Sequence, residues 1–67
     1  NDKLVDRAAR ILRRFCPELS REQALASLEA AGMRLKTAIA MRRCGVSRDE
    51  AERRLAQANG SLRALIG

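Results

Sequence analysis

Cys44-Gly45-Val46-Ser47-Arg48-Asp49-Glu50-Ala51-Glu52-Arg53-Arg54-Leu55-Ala56-Gln57-Ala58-Asn59-Gly60-Ser61-Leu62-Arg63-Ala64-Leu65-Ile66 holds a helix stop, a helix start, a short amphipathic helix, a second stop and a second start. Gly45 predicts the end of a preceding helix, because a left-handed residue just past the last turn is easiest without a Cβ. Ser47 can cap the next helix with its hydroxyl. Glu50, three residues on, is placed to reach back to the Ser47 amide, and Val46 to pack on Ala51, so a capping box and a hydrophobic staple are expected together. The helix should begin at Arg48. Ala51, Leu55 and Ala58 recur on one face, Asn59-Gly60 supplies a stop, and Ser61 caps a last short helix through Leu62, Leu65 and Ile66.

The same unit occurs upstream. Leu19-Ser20-Arg21-Glu22-Gln23-Ala24 aligns with Val46-Ser47-Arg48-Asp49-Glu50-Ala51 at an offset of 27, and the register continues without a gap through Leu28 on Leu55, Ala31 on Ala58, Leu35 on Leu62, Lys36 on Arg63 and Ile39 on Ile66. Residues 19–39 and 46–66 thus read as an internal repeat in which each copy needs the other to bury its apolar side. Two copies are too few for an open solenoid, so a compact bundle is expected. Arg13-Arg14-Phe15-Cys16 before the first copy resembles Met41-Arg42-Arg43-Cys44 before the second, with Pro17-Glu18 accounting for one extra residue. Overlapping three-helix units that share helix three follow from this register.

Outward from the repeat, Asn1-Asp2 offers capping side chains, and Leu4, Ala8, Ile11, Leu12 and Phe15 describe an amphipathic first helix with Arg7, Arg10, Arg13 and Arg14 on its other face. Pro17 should end it. Ser20 caps helix two with Gln23 completing a capping box, Ala24, Leu25, Leu28 and Ala31 form its buried stripe, and Gly32 closes it. Leu35, Ala38 and Ile39 continue as helix three to Cys44-Gly45. The fold class is all-α, a small bundle of four short helices plus a terminal turn of helix. Residues 1–67 make a single helical domain.

The chain has 67 residues, 14 Lys and Arg against 8 Asp and Glu, no His and a single aromatic residue, Phe15. The formal charge of +6 admits an anionic partner. Yet the basic residues are mixed with acids along every helix and only Phe15 is available to stack on a base, so a solvated charged face is preferred to nucleic-acid binding. Arg42-Arg43 and Arg53-Arg54 are adjacent pairs whose side chains diverge by about 100° around a helix, so at most one of each pair is expected at a common anion site. No apolar run is long enough to cross a membrane. With no initiator Met, the chain is expected to be a segment of a larger cytoplasmic protein.

The catalytic inventory is thin. No Gly-rich phosphate loop precedes a helix, no nucleophile has a recognisable base, and two cysteines without histidine make no zinc site, so no catalytic residue, metal or cofactor is expected here. Cys16 and Cys44, at predicted helix ends, are expected as reduced thiols, a disulfide requiring that they come close. Glu22 and Glu50 are explained by their first-turn positions at the positive end of a helix dipole. Met33 is expected at the core or its rim; if exposed, it would suit an adaptable protein interface.

The ordered set Asn1-x-Lys3-Leu4-x-x-Arg7-Ala8-x-Arg10-Ile11, Glu22-x-Ala24-x-x-x-Leu28-x-x-Ala31-Gly32, Lys36-x-Ala38-Ile39-x-Met41-x-x-x-Gly45 and Glu50-Ala51-x-x-x-Leu55-x-x-Ala58-x-Gly60-x-Leu62-Arg63 resembles the C-terminal helical domain of bacterial N-acetylmuramic acid 6-phosphate etherases. The second half also resembles a ubiquitin-associated (UBA) three-helix fold, with Cys44-Gly45-Val46 in its loop, so the bundle is expected as two overlapping UBA-like units. Met33 departs from the etherase pattern, which has a second Gly there. The resemblance implies a parent carbon–oxygen lyase that cleaves the D-lactyl ether of N-acetylmuramic acid 6-phosphate, giving N-acetylglucosamine 6-phosphate and D-lactate in peptidoglycan recycling. Its catalytic glutamates belong to an upstream sugar isomerase (SIS) domain and none is carried over. This segment would be a non-catalytic cap on that SIS domain or on its dimer mate, meeting sugar phosphate only through the parent, with Lys3 the position implied to approach the phosphate. The other reading, of a different class, is a free-standing UBA-like module that binds another protein's helix or acidic surface.

Overall fold

The computed structural model describes residues 2–66, with the Asp2 side chain excepted; the capping expected of Asn1 and Asp2 lies outside the described residues. Five helices follow one another: α1 (Asp2–Phe15), α2 (Arg21–Ala30), α3 (Leu35–Cys44), α4 (Arg48–Gln57) and α5 (Leu62–Ile66), with no strand among the described residues. The all-α bundle expected from the sequence is the architecture observed.

Local chemistry sets the boundaries. α1 stops at Phe15, two residues before Pro17, and the Leu19 amide closes the turn on the Cys16 carbonyl at 3.1 Å. At the start of α2 the Ser20 hydroxyl accepts from the Gln23 amide at 3.1 Å while the Gln23 side chain accepts from the Ser20 amide at 2.8 Å. Ser47 has nearly the same backbone as Ser20, with φ −71° and ψ 168° against −73° and 168°, and its hydroxyl accepts from the Glu50 amide at 3.3 Å. The reciprocal half of the box expected at Ser47 is not made. The Glu50 carboxylate is taken instead by Arg53 and Arg54, because charge-assisted bonds to two guanidiniums outweigh one to a neutral amide.

The helix ends correspond as closely as the starts. Ala31 and Ala58 have φ, ψ of −92°, 11° and −93°, 12°, and each is followed by two left-handed residues, Gly32-Met33 and Asn59-Gly60. Gly45 ends α3 at φ 65°, with the Val46 amide reaching back to the Met41 carbonyl at 3.2 Å.

Ala9, Leu12, Cys16, Leu19, Ala24, Leu28, Ala31, Ala38 and Ile39 form one buried cluster, and Ala40, Ala51 and Leu55 a second, against which Val46, Met41, Leu62 and Leu65 pack. Helix α3 serves both. Thr37, Ala38, Ile39 and Ala40 are buried in succession because α3 is packed by α1 and α2 on one side and by α4 and α5 on the other. Leu12, Leu28 and Ile39 are fully buried, each contributing about 1.5–3 kcal/mol of burial free energy. Alanine dominates the contacts, which lets short helix axes approach closely. One expectation fails: Leu4 is 64% exposed, and the buried line of α1 runs through Ala9, Leu12 and Cys16. The first fully buried residue of α1 among those described is the small Ala9.

Candidate functional site

The carboxylates with resolved partners are committed to ion pairs. Asp6 accepts from Arg10 and Arg21, Glu52 from Arg48, and Glu50 from Arg53 and Arg54 at 2.7 and 2.8 Å. The hydrogen bonds from Arg53, then from Arg54, hold the Glu50 carboxyl below its ordinary pKa, so it is an anion at neutral pH rather than a proton donor. That both arginines reach Glu50 corrects the expectation that at most one of an adjacent pair meets a common anion. Positions three and four residues on lie on either side of the first, so both side chains can fold back to it. Arg42 and Arg43 do diverge: Arg42 donates to the Ser27 hydroxyl at 3.0 Å and Arg43 to the Phe15 carbonyl at 3.2 Å.

No group of three or more His, Cys, Asp or Glu side chains able to hold a metal occurs among the described residues. Cys16 and Cys44 are free thiols, the first buried and the second half-buried. Burial pushes the Cys16 thiol up, Glu18 adds to the shift, and Arg43 and Arg42 only oppose it, which makes Cys16 a packing residue rather than a nucleophile. The serines at helix starts spend their hydroxyls on amides, Ser61 on that of Ala64 at 3.3 Å.

What remains for function is surface. Lys3 is exposed in the first turn of α1, beside Leu4. Leu4 and Met33, 64% and 49% exposed, meet Val5 and Ala8 around a shallow depression of about 300 Å³. Sequence patterning missed this patch because it assigned Leu4 to the core and Met33 to the core or its rim. It also missed that the Lys36 ammonium donates to the Gly60 carbonyl at 2.8 Å, tying the start of α3 to the end of α4. The only signal was the unpaired carbonyl that every helix end leaves.

No family model and no solved structure matches the chain. Several relatives do match in sequence. An N-acetylmuramic acid 6-phosphate etherase of Mycolicibacterium smegmatis is 49% identical over 70 residues, covering 100% of this chain and 22% of the relative. Etherases of the same name from Synechocystis sp. and Staphylococcus saprophyticus are 44% and 36% identical, covering 94% and 98% of this chain and 20% and 22% of theirs. The resemblance read from the ordered motifs is borne out, and the chain spans about a fifth of the length of the curated relatives it matches. No helix among the described residues is long and apolar enough to cross a membrane.

Proposed function

Because this chain is similar along its whole length to a domain-sized segment of N-acetylmuramic acid 6-phosphate etherases, we propose that it is the non-catalytic helical cap of an etherase-like lyase. The cap packs on a SIS sugar-phosphate domain of the same polypeptide or of its dimer mate. The parent reaction is cleavage of the D-lactyl ether of N-acetylmuramic acid 6-phosphate, a cytoplasmic step of peptidoglycan recycling. The whole-length match to the M. smegmatis etherase carries this reading. Two features of the bundle support a cap rather than a catalyst: Asp6, Glu50 and Glu52 are tied up in ion pairs, and Leu4 and Met33 form an exposed apolar patch.

Lys3, exposed beside that patch, is the residue assigned to the substrate phosphate. An ammonium in the first turn of α1 adds its charge to the positive end of the helix dipole. The test uses the polypeptide that carries this segment. Lys3→Ala should raise KM for the sugar phosphate about tenfold, roughly 1.4 kcal/mol, with kcat nearly unchanged. Met33→Asp should loosen the docking and lower activity without unfolding the bundle. D-lactate release unaffected by either change, or by deletion of residues 1–67, would overturn the proposal.

A further inference from the structure

Arg10, Arg21, Arg48, Arg53 and Arg54 are paired with carboxylates. Three guanidiniums without an acidic partner among the described residues, Arg14, Arg43 and Arg63, surround one groove where the C-terminal ends of α1 and α3 meet α5. Its remaining walls are apolar: Phe15, Leu62 and Ile66, all half-exposed. Among the described residues no acidic one lines it, and its volume is about 570 Å³, within the range of about 300–1,000 Å³ typical of ligand-sized pockets.

Helix dipoles explain part of this. Arg14 and Arg43 lie in the last turns of α1 and α3, where a cation is favoured, and Arg43 satisfies the Phe15 carbonyl. They do not explain why three apolar side chains stay half-exposed between three cations. Guanidiniums are weakly hydrated forks that match carboxylates, and their strength grows where an apolar floor excludes water. A polynucleotide fits less well, because Phe15 is the one aromatic ring in the sequence, whereas successive bases need several rings to stack on.

We infer that this groove docks a short acidic segment of a partner protein, with aliphatic side chains on Phe15, Leu62 and Ile66 and carboxylates on Arg14, Arg43 and Arg63. The groove is distinct from the surface assigned to sugar phosphate. Lys3 and Arg14 stand at opposite ends of α1, about 16 Å apart along its axis, so either proposal can fail alone.

The test is a titration of the isotopically labelled chain with a terminally blocked peptide, Glu-Leu-Glu-Glu-Leu-Glu, followed through amide shifts. Saturable shifts should cluster at Arg14, Phe15, Arg43 and the residues of α5. Arg14→Glu and Arg63→Glu, both at exposed positions, should each weaken binding about tenfold or more. Arg34→Glu makes the same charge change outside the groove and should leave Kd within about twofold; amide dispersion of each variant verifies the fold. Added salt should weaken binding, as screening of the rim requires. Shifts spread over all basic helices or centred on Leu4 and Met33, equal weakening by Arg34→Glu, no shift with the peptide, or preference for an oligouridine probe at the same residues would each overturn the inference.

Discussion

Met33 and Gly60 occupy the same left-handed position at the ends of α2 and α4, with φ 64° and 77°, and each donates its amide at 2.7 Å to a leucine carbonyl, Leu28 and Leu55 respectively. One site has the residue suited to that backbone and the other does not. A side chain at left-handed φ costs about 1 kcal/mol or more. Met33→Gly should therefore stabilise the bundle by about 0.5–1 kcal/mol, after the extra freedom glycine has when unfolded, and raise Tm by a few degrees. Gly60→Ala should cost a similar amount although its Cβ would meet only the Lys36 ammonium, at 3.8 Å. Thermal unfolding of both variants checks the pair, and a destabilised Met33→Gly would show that the exposed thioether contributes more than the strain.

The two serine caps should differ in strength. Ser20 sits in a complete box, whereas Ser47 accepts one longer bond and receives nothing back from Glu50. Ser20→Ala should cost about 1 kcal/mol and Ser47→Ala less, both within the usual range of about 0.5–2 kcal/mol. Urea denaturation at constant m-value measures both, and equal losses would remove the distinction.

Acid should weaken the start of α4. The Glu50 carboxyl titrates below its unfolded value because Arg53 and Arg54 bond its ionised form. The stability from this group is therefore fully present above the unfolded pKa, about 4.3, and is lost as pH falls from there through the lower folded value. Glu50→Gln should flatten that part of the stability profile and leave the neutral-pH fold intact. A carboxyl NMR titration midpoint for Glu50 at or above the ordinary glutamate value would contradict it.

Removing the centre of the first cluster should be costly. Leu28 is fully buried, so Leu28→Ala loses its burial and leaves a cavity, at about 2–5 kcal/mol. That is a large share of the about 5–15 kcal/mol typical of small domains. Loss of amide dispersion or a strongly lowered Tm is the expected result, and near-native stability would mean that the neighbouring alanines can close the gap.

The cysteines should be separable by alkylation at mildly alkaline pH. Cys16 is buried with its thiol pushed up, while Cys44 is half-exposed at the end of α3. Mass spectrometry should find Cys44 modified first and Cys16 only slowly. Equal rates would mean that α1 opens readily from the bundle.

The helix boundaries were legible because their causes act within a few residues. Pro17, Gly45, Asn59-Gly60 and the hydroxyls of Ser20, Ser47 and Ser61 set starts and stops through hydrogen bonds and backbone conformations that need no distant partner. The offset between the two copies was legible for the same reason, and the ordered motifs carried the likeness to the etherases. Less of the surface was legible. Glu50 had two local partners within reach, and only the three-dimensional competition gave it to Arg53 and Arg54 rather than to the Ser47 amide.

By itself, then, the sequence determined an all-α chain of four short helices with a terminal turn of helix, and its serine caps. The tertiary structure alone decided which side chains those helices bury and which they leave together at the surface. Thr37 to Ala40 are buried without any helical period because α3 is enclosed from two sides, and Leu4 obeys the period yet is 64% exposed because it lies outside the buried cluster that Ala9, Leu12 and Cys16 of α1 enter. Arg14, Arg43 and Arg63 come from three different helices and meet around Phe15, Leu62 and Ile66 only once the bundle has closed. Periodicity specifies a face along one helix; the angle and offset at which helices cross, set by interlocking side chains from all of them, specify what that face meets.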